Sequence, residues 1–499
     1  MTSILNFVIR ESKQIVHDKY DLDNPSCDES RRLADSRNRE FIYNNFQTKL
    51  LVIRAPAGSG KTTTIRKCIQ TIPLKECLYI VFNSSMKDEF VKICKSYKIA
   101  NVTIHTFDSL CLEFVKKNIN HTILNPNDNV NMYSKNFHII APEFKDIHHD
   151  NRSKLLSIIG DFCKTVKYTS ISQMIIDYYE NKTYTKMICG MDHNKLADFM
   201  ENTWKCIINS SSRTHTITRK EAFIYGIYNY INNNYAQLFV DESQDIDPFM
   251  AEILFNYITT NRMLVGDQLQ RIYAFRNCID ALSLSSDNEK YNVNDIIHTQ
   301  LYVTYRFGNN LVDHLNDKVP NCNMVSGCNH NTTIINRQSS TQKITHICKY
   351  WRTILSIAST TKNCYIYGWS KKKSQLNGRI NSLLRRANSG ITNIENDSNE
   401  DDENAGLSEY LLSMSLYELK ELINTIDKNR AERKNNSSYH LATVHQTKGL
   451  EFNNIIVDYD ITIPHKQCRN GVCSDLYYIL YYTAVTRCIN SIFIMNDYK

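Results

Sequence analysis

The sequence contains little glycine, proline or tryptophan. Of its 499 residues, 14 are Gly, 8 are Pro and 3 are Trp, whereas soluble proteins average about 7% Gly and about 5% Pro. This scarcity excludes collagen-like chains and disordered chains rich in Pro and Gly. Hydrophobic residues make up 42% of the chain and charged residues 22%, which is the composition of a globular protein. At roughly 100–200 residues per domain, the length predicts two to four domains.

Long apolar segments are also absent, and the sequence predicts no secretion leader. The longest uncharged apolar stretch near a motif, residues 476–485, has half of the ~20 residues that a membrane-spanning helix needs. The N-terminal segment has neither a basic leader nor a proper apolar region, so we expect no secretion. Sixteen Cys residues are scattered without a framework spacing, which indicates reduced thiols. We therefore expect an intracellular protein, in the cytoplasm, the nucleus or a viral replication site, and no membrane association.

One acidic segment interrupts an otherwise basic chain. The net charge is +7, yet residues 395–403 alone carry six carboxylates. The positive excess of the remainder is compatible with a polyanionic partner but does not demonstrate one. The surrounding segment, residues 393–406, is polar and lacks aromatic residues, so we interpret it as a solvated loop or linker. The alternative is a regulatory segment that imitates DNA in a basic groove.

Short apolar runs alternate with longer helical patterns along the chain. Such runs are typical of parallel strands that are buried on both faces of a sheet. They fall into two groups of five, at residues 50–53, 78–82, 102–105, 237–240 and 263–265, and at 301–303, 364–367, 440–444, 454–457 and 491–495. Two such groups predict an α/β fold with two doubly wound domains. We place the domains at 1–282 and 283–499, with mostly helical insertions at about 115–220 and about 370–438, the second including the acidic loop.

A phosphate-binding loop follows the first apolar run. In APAGSGKTTT, residues 55–64, Gly58 and Gly60 allow a tight turn whose backbone N–H groups point inward, and the following helix presents its positive N-terminal end to the same spot. Lys61 is expected to reach the β- and γ-phosphates, and Thr62 to offer its hydroxyl to Mg²⁺. The predicted nucleotide-binding residues of this loop are Ala55, Pro56, Ala57, Gly58, Ser59, Gly60, Lys61, Thr62 and Thr63.

Two acids follow the apolar run at 237–240, in the segment LFVDESQD. They stand at the carboxyl end of a predicted parallel strand, which is where ligands bind in sheets of this kind. We assign Asp241 to Mg²⁺, and Glu242 to polarising the water that attacks the γ-phosphate. Together with the loop at 55–64, this pair of acids predicts hydrolysis of a nucleoside triphosphate.

Further segments that carry polar and aromatic residues occur between residues 38 and 488. They are NREFI (38–42), IVFNSSMKDEF (80–90), VTIHTFDSL (102–110), LVGDQLQRIYAFR (264–276), LYVTYRFGNN (301–310), TVHQTKGLEFNNIIV (443–457) and YYILYYTAVTRC (477–488). In this order they resemble the Q motif and motifs Ia, Ib, III, IV, V and VI of superfamily 1 DNA helicases of the UvrD/Rep type. The segments YRFG and LYIVFN resemble the F-box DNA helicase branch, although no F-box is visible in the first 35 residues. The resemblance implies two RecA-like P-loop domains, 1A and 2A, with insertions 1B and 2B.

The resemblance also implies roles around the nucleotide. Arg306 and Arg487 are implied to be arginine fingers that close the second domain onto ATP, and a guanidinium suits γ-phosphate oxygens. Gln270 is implied to sense the γ-phosphate, Tyr305 to stack on adenine and Glu451 to contact the ribose. Taken singly, each residue has an ordinary alternative, which is a surface ion pair or, for Tyr305, a place in the core.

Nucleic-acid contacts are implied by the same motifs. Stacking aromatics and a groove that follows the backbone bind single strands with little sequence preference. The residues at these positions are Phe82, Asn83, His105, Thr106, Tyr273, Phe275, Arg276, Thr443 and His445. Isolated aromatic residues usually belong to a core, and a His or Thr at these positions can equally cap a helix.

The sequence departs from the family pattern at two positions near the base and in one spacing. Asn38 stands where the Q motif has Gln, and we assign its shorter amide to the adenine edge. Thr63 replaces the Arg that often follows the GKT sequence. The segment between Arg306 and Thr443 is too short for a large 2B insertion, so we expect a reduced 2B region.

These observations predict an ATP-dependent DNA helicase or translocase that uses Mg²⁺ and binds single-stranded and forked duplex DNA. The resemblance implies 3′→5′ movement and a role in repair, recombination or replication; RNA is a less favoured substrate, although stacking does not exclude it. One alternative is a translocase that displaces proteins from single strands without unwinding duplex. Another is a non-catalytic nucleic-acid-binding scaffold, against which five intact residues argue: Lys61, Asp241, Glu242, Arg306 and Arg487.

Overall fold

The structure is a computed structural model that describes most of the chain. The described residues are 27–72, 76–119, 149–180, 191–209, 214–273, 278–284, 290–291, 295–335, 343–388, 404, 407–462 and 472–495. Below, residues 27–300 are called the N-terminal half and residues 301–495 the C-terminal half. The predicted acidic loop at 393–406 lies outside the described residues except for Asn404.

Six parallel strands form the first sheet, in the order β3-β2-β4-β5-β1-β6. They are β1 (Leu50–Arg54), β2 (Cys77–Val81), β3 (Val102–Thr106), β4 (Gln237–Val240), β5 (Asn261–Gly266) and β6 (Ile296–Gln300). Successive residues of a strand point to opposite faces, and in β1 Leu50 and Val52 enter one core cluster while Leu51 and Ile53 enter another. The first sheet is therefore the middle layer between two apolar cores.

Helices supply these cores. Helix α1 (Asp28–Asn45) precedes β1, and α2 (Lys61–Thr71), α3 (Ser84–Ser96) and α4 (Phe107–Ile119) follow β1, β2 and β3 in turn. Between β3 and β4 follow α5 (His149–Lys164), α6 (Ile171–Glu180), α7 (His193–Asn209), α8 (His215–Ile224) and α9 (Ile227–Asn234), and α10 (Pro248–Asn256) follows β4. Helices α5 to α7 and the start of α8 have a core of their own around Phe162 and Trp204, as the predicted helical insertion requires.

A second sheet of six parallel strands lies in the C-terminal half, in the order β11-β12-β10-β13-β14-β9. Its strands are β9 (Thr333–Ile335), β10 (Ile344–Cys348), β11 (Cys364–Ile366), β12 (Tyr439–Thr443), β13 (Phe452–Val457) and β14 (Cys488–Ile494). A small two-stranded sheet pairs β7 (Val303–Thr304) with β8 (Val325–Ser326). The helices of this half are α11 (Asn309–Lys318), α12 (Trp351–Thr360), α13 (Trp369–Asn388), α14 (Leu407–Leu412), α15 (Leu416–Asn429), α16 (Val444–Thr447), α17 (Tyr459–Thr462) and α18 (Val472–Val485).

The predicted insertion at about 370–438 corresponds to helices α13 to α15, between β11 and β12. Trp369 of α13 and Leu419 of α15 share a core cluster with Trp351 of α12 and with Leu441 of β12. The described helices of this insertion therefore pack on the second sheet's own core.

Two strand predictions need correction. The run at 301–303 was expected to open the second group of strands, but β6 lies earlier, at Ile296–Gln300, and pairs with β1 of the first sheet. The first sheet thus crosses the predicted boundary at residue 282, and we propose that the first domain extends to about residue 300. Strands β9 and β10 were not predicted at all. In β10 the residues Thr345 and His346 break the apolar run, and both are buried.

The sequence predicts no membrane-spanning segment, and the length and hydropathy of the described helices bear on that prediction. Among the described residues, none of the helices is both long enough and apolar enough to cross a bilayer.

Candidate nucleotide cleft and nucleic-acid surface

The phosphate-binding loop has the backbone geometry that its glycines predict. Gly58 and Gly60 have φ values of 73° and 81°, in the left-handed region, and Gly60 caps the N-terminus of α2. A Cβ atom on Gly58 would lie 2.5 Å from Cβ of Arg306, so only glycine allows this approach of the C-terminal half. The backbone N–H of Tyr305 also donates to the carbonyl of Gly58, at 2.9 Å. The loop is therefore held against the segment that carries Arg306.

A cavity of about 350 Å³ opens above this loop, within the usual size range of small-ligand sites. Residues of both halves line it: Gly58, Ser59, Gly60, Lys61, Thr62, Thr63, Arg66, Tyr79, Met86, Glu89, Phe90, Ile93, Asp241, Glu242, Gln270, Tyr305, Arg306, Gly449, Glu451 and Arg487. All six predicted catalytic residues are in this set. Ala55, Pro56, Ala57 and Asn38 do not line the cavity.

Asp241 and Glu242 lie at the carboxyl end of β4, as predicted. Asp241 accepts hydrogen bonds from the Tyr79 hydroxyl at 2.7 Å and from the backbone N–H of Glu242 at 2.9 Å. Burial, together with the negative charge of Glu242, raises the pKa of Asp241 to about 6. Burial alone would raise the pKa of Glu242 as well, but the charges of Lys448 and Lys61 outweigh it and hold that pKa below its ordinary value. Glu242 is thus the stronger acid of the pair, and it is ionised at neutral pH.

Glu242 adopts an unusual backbone conformation, with φ at 51° and ψ at 41°. A non-glycine residue in the left-handed region is strained. Its carboxylate accepts a hydrogen bond from the Gln244 side chain at 2.6 Å. The turn after β4 therefore aims this side chain into the cleft and a neighbouring amide fixes it there.

Two arginines of the C-terminal half reach the same cavity. Arg487 donates from Nη2 to Oε1 of Gln270 at 2.8 Å, and burial together with the charge of Arg306 lowers its pKa to about 10. Arg306 donates from Nη1 to the carbonyl of Thr486 at 2.8 Å, and its Nη2 lies 2.6 Å from Oε1 of Glu451. Two guanidinium groups thus line this side of the cleft, which suits an anion.

The loop and the acids together fit a magnesium–triphosphate ligand. Ser59 is fully buried in the loop, and within the described residues its hydroxyl has no hydrogen-bond partner, which leaves a donor for a phosphate oxygen. Lys61 has only long contacts, at 3.4 and 3.5 Å, to the loop carbonyls of Ala55 and Pro56. Thr62 and Asp241 line the same cavity, and their hydroxyl and carboxylate oxygens are ligands of the kind that Mg²⁺ prefers.

Of the two residues predicted to contact the base, one lines the cavity and the other does not. Tyr305 lines the cavity and is 55% exposed, so its ring is available for stacking. Asn38 does not line the cavity, and its side chain donates to the carbonyl of Gln300 at 2.7 Å, which joins α1 to the end of β6; its adenine contact stays a prediction. Its neighbour Arg39, which was not predicted, donates to the carbonyl of Ser59 at 2.8 Å and lies 5.5 Å from the Tyr305 ring centre.

Three of the predicted nucleic-acid residues form an aromatic cluster between the halves. The rings of Phe82 and Tyr273 stack with their centres 5.1 Å apart, and Tyr273 lies 5.6 Å from the ring of His445. All three side chains are partly exposed. Phe275 and Arg276 lie outside the described residues.

The other predicted nucleic-acid residues have local structural contacts. Asn83 and Thr443 each accept a hydrogen bond from the backbone N–H three residues on and so cap α3 and α16, and Thr106 likewise accepts from Ser109. His105 is buried beside Glu113, and burial lowers its pKa. For these four residues the helix-capping or core alternative describes what the structure shows.

Sequence reasoning missed two residues of the C-terminal half that join the halves. Lys448 contacts both Asp245 and Glu242 across the cleft. Tyr482 of α18 accepts a hydrogen bond from the backbone N–H of Ala57 and donates to Asp267 at 3.0 Å. Both residues lie inside segments that were quoted as motifs. Their positions in those segments could have indicated a role, but their residue types could not.

Comparison with known proteins agrees with this architecture. Residues 36–292 match the model of the UvrD/REP helicase N-terminal domain. The chain is 22% identical to F-box DNA helicase 1 of Gallus gallus, over 91% of this chain and 48% of that protein. It is 24% identical to a probable DNA helicase II homolog of Mycoplasma genitalium, over 46% of this chain and 35% of that protein. A solved structure of an arterivirus helicase, nonstructural protein 10, in complex with DNA is 11% identical to this chain, with a TM-score of 0.34. The match covers 92% of this chain and 62% of that chain.

A parallel α/β fold with a phosphate-binding loop at a cleft between two sheets defines a P-loop protein of the helicase class. The family match covers more than half of the sequence, and the chain belongs to the UvrD/REP helicase family. The predicted resemblance and the predicted fold class of two RecA-like domains are thereby confirmed. The chain spans about half of the length of its chicken relative and about a third of that of its mycoplasma relative.

Proposed function

We propose that this chain is an ATP-dependent DNA helicase that moves along single-stranded DNA in the 3′→5′ direction, in repair, recombination or replication. One observation carries the proposal. Lys61, Asp241 and Glu242 of the N-terminal half and Arg306 and Arg487 of the C-terminal half line the same cavity. A triphosphate in that cavity would be contacted from both halves, so its binding and hydrolysis would change the contact between them.

Each residue has a task that its position supports. Ser59, Lys61 and the amides of the loop bind phosphate oxygens, and Tyr305 stacks on the base. Thr62 and Asp241 would hold Mg²⁺, which would supply positive charge to neutralise the charge that develops on the phosphates. Glu242 orients the attacking water and accepts its proton, and Gln270 contacts the γ-phosphate. Arg306 and Arg487 stabilise the charge of the transition state, as arginine fingers do. In this scheme the Arg306 guanidinium leaves Glu451, which becomes available to the ribose.

The nucleic-acid side of the proposal depends on the Phe82, Tyr273 and His445 cluster. Aromatic faces bind any base by stacking, at about 1–3 kcal/mol per base. The cluster lies between the halves, so opening and closing of the cleft would alter it. Phe275 and Arg276 complete the proposed single-strand contact, and forked duplex DNA is the proposed unwinding substrate.

The decisive experiment measures ATP hydrolysis with and without a single-stranded oligonucleotide, for wild type, E242Q and the control E252Q. Glu252 lies on α10 and pairs with Lys290 outside the cleft. We expect stimulation of wild type and E252Q by DNA, and a kcat at least 100-fold lower in E242Q with nucleotide binding retained. No stimulation by DNA or RNA would contradict the motor assignment, and full activity of E242Q would contradict the assigned base.

A second candidate is a translocase that displaces bound proteins without unwinding. It is favoured by the short insertion between β11 and β12, whose described helices pack on the second sheet instead of extending from it. Unwinding of a forked duplex and displacement of streptavidin from a biotinylated single strand distinguish the two. Oligonucleotides blocked at either end test the proposed polarity, and an RNA strand of the same sequence tests the preference for DNA.

A further inference from the structure

Lys448 is the buried cation at which the two halves meet. It follows α16 in the C-terminal half, and its side chain is 2% exposed. Its ammonium forms an ion pair with Oδ2 of Asp245 and lies 3.4 Å from Oε2 of Glu242, both in the N-terminal half. Burial by itself lowers the pKa of Lys448, but the two carboxylates outweigh it and raise that pKa, so the group is charged.

The same ammonium also lies over the aromatic cluster. Its Nζ is 5.0 Å from the ring centre of Phe82 and 5.3 Å from that of Tyr273, within the range of a cation–π contact. The backbone N–H of Tyr273 donates to Oδ1 of Asp245 at 3.3 Å. Asp245 therefore holds the ammonium with one oxygen and the Tyr273 backbone with the other.

These contacts join two sites that the proposed function treats separately. One partner of Lys448 is the proposed water-activating carboxylate, and two others are the proposed base-stacking rings. A buried charge that loses a partner is costly, at about 3–5 kcal/mol. The ammonium therefore cannot change its position against the rings without changing its position against the carboxylates.

The present spacing of the rings leaves no room for a base between them. A base stacked between two rings needs about 6.8 Å between their centres, twice the ~3.4 Å spacing of stacked bases. The centres of Phe82 and Tyr273 are 5.1 Å apart. A base that enters between the two rings must therefore part them or displace one of them, and either movement changes the surface on which the ammonium lies.

We propose that Lys448 is a positioning residue that couples nucleic-acid stacking at Phe82 and Tyr273 to the placement of Glu242 against the nucleotide. The inference rests on the proposed function and adds to it the residue that links its two sites. Stacking of a base moves the ammonium and with it the Glu242 carboxylate. In the reverse direction, nucleotide binding that shifts Glu242 also shifts the Lys448 ammonium, which lies over the two rings.

The test compares wild type, K448M, K448R and the matched control K220M. Methionine keeps the apolar stem and removes the charge. Lys220 is equally buried and lies 4.0 Å from the ring centre of Phe162, but its ammonium donates to the carbonyls of Thr165 and Tyr168 in the helical insertion. Affinity for a fluorescein-labelled oligodeoxythymidylate is measured by anisotropy, with and without a non-hydrolysable ATP analogue and Mg²⁺. Nucleotide affinity is measured with and without the oligonucleotide.

In wild type and in K220M we expect each ligand to change the affinity for the other by the same factor, about fivefold or more. In K448M this factor falls to less than about twofold in both directions, and K448R, which keeps the charge, recovers part of it. DNA stimulation of ATP hydrolysis falls in parallel. A purely structural role would lower the melting temperature of K448M and K220M alike without removing the coupling factor.

Two results would overturn the inference. One is a folded K448M with the wild-type coupling factor; the other is a wild type that is stimulated by DNA without any mutual effect on affinity. If K448M does not fold, F82L tests the same link from the ring side, and unchanged coupling in F82L also refutes it. Failure of the proposed function looks different, because wild type itself would then show no stimulation by any single strand.

Discussion

Arg487 and Gln270 meet across the cleft, with Nη2 of the arginine 2.8 Å from Oε1 of the glutamine. The other end of the Gln270 amide donates to Oδ2 of Asp267 at 2.8 Å, at the carboxyl end of β5. The side chain of Gln270 is therefore fixed at both ends. A γ-phosphate in the cavity would compete with Gln270 for the Arg487 guanidinium, and we propose that this contact senses an occupied cleft.

The first prediction concerns this pair. R487K keeps a positive charge but loses the planar fork, and we expect a kcat lower by about 10²–10³-fold. Q270A alone should lower kcat by about 10–100-fold, and the double variant should be much less impaired than the product of the two effects, because the residues act as a unit. Steady-state ATPase kinetics of wild type, the two single variants and the double variant complete this double-mutant cycle. R433K, at an exposed position, is the control, and strict additivity of the two effects would contradict a shared role.

The second prediction concerns Tyr305. Its ring is exposed and lines the cleft, so Y305A removes a stacking surface without opening a core cavity. We expect a KM for ATP about 5–20-fold higher, a kcat within about threefold of wild type and an unchanged melting temperature, since stacking contributes about 1–2 kcal/mol. The control Y417A removes an exposed tyrosine, 74% accessible on α15, and should change neither constant. An equal KM in wild type and Y305A would exclude base stacking at this residue.

Most of the first sheet was predictable because its central strands are buried on both faces and appear as continuous apolar runs. Strand β10 of the second sheet was not predicted, because the polar residue His346 in its middle interrupts the apolar run. The structure satisfies that buried ring with the Tyr439 hydroxyl at 2.7 Å and Asp458 at 2.8 Å. Such a partner lies about a hundred residues away in the chain, and no local pattern indicates it. Strand β6 was missed for a similar reason, since an edge strand carries polar residues such as His298.

The candidate site was predictable as a set of residues but not in its contacts. The motif positions identified Lys61, Asp241 and Arg487, and these do line one cavity. The contact of Asn38 with the end of β6 was not predictable, because that strand was itself not predicted. Lys448 was overlooked, because its importance comes from two carboxylates about 200 residues earlier in the sequence. Contacts between residues so far apart in the sequence form only where the two halves pack against each other.

The third prediction concerns the support of Asp241. Y79F removes the hydroxyl that donates to its Oδ2 at 2.7 Å. That hydrogen bond favours the ionised carboxylate, so its loss raises the pKa of Asp241 above the present value of about 6. We expect a half-saturating Mg²⁺ concentration about 3–10-fold higher, and an acid limb of the ATPase pH profile shifted to higher pH.

Magnesium titrations and pH–rate profiles of wild type and Y79F check this prediction. Y235F is the matched control, because Tyr235 is also a buried tyrosine, in the other core of the first sheet, but does not line the cleft. If Y79F retained both the wild-type Mg²⁺ dependence and the wild-type acid limb, the role of Asp241 as the metal ligand would lose its support.

The fourth prediction concerns the contact between the loop and the C-terminal half. G58A adds a Cβ at a φ of +73°, only 2.5 Å from Cβ of Arg306 and 2.6 Å from Oγ1 of Thr304. Backbone strain and the displacement of Arg306 act together, so we expect a loss of at least 100-fold in kcat and a stability lower by about 1–3 kcal/mol. G160A is the matched control. Gly160 lies within α5, and a Cβ there meets nothing within 4 Å, so that variant should gain about 0.5–1 kcal/mol and hydrolyse ATP like wild type. Denaturant unfolding and ATPase assays of both variants separate the two effects, and a fully active G58A would show that the halves need not approach this closely during turnover.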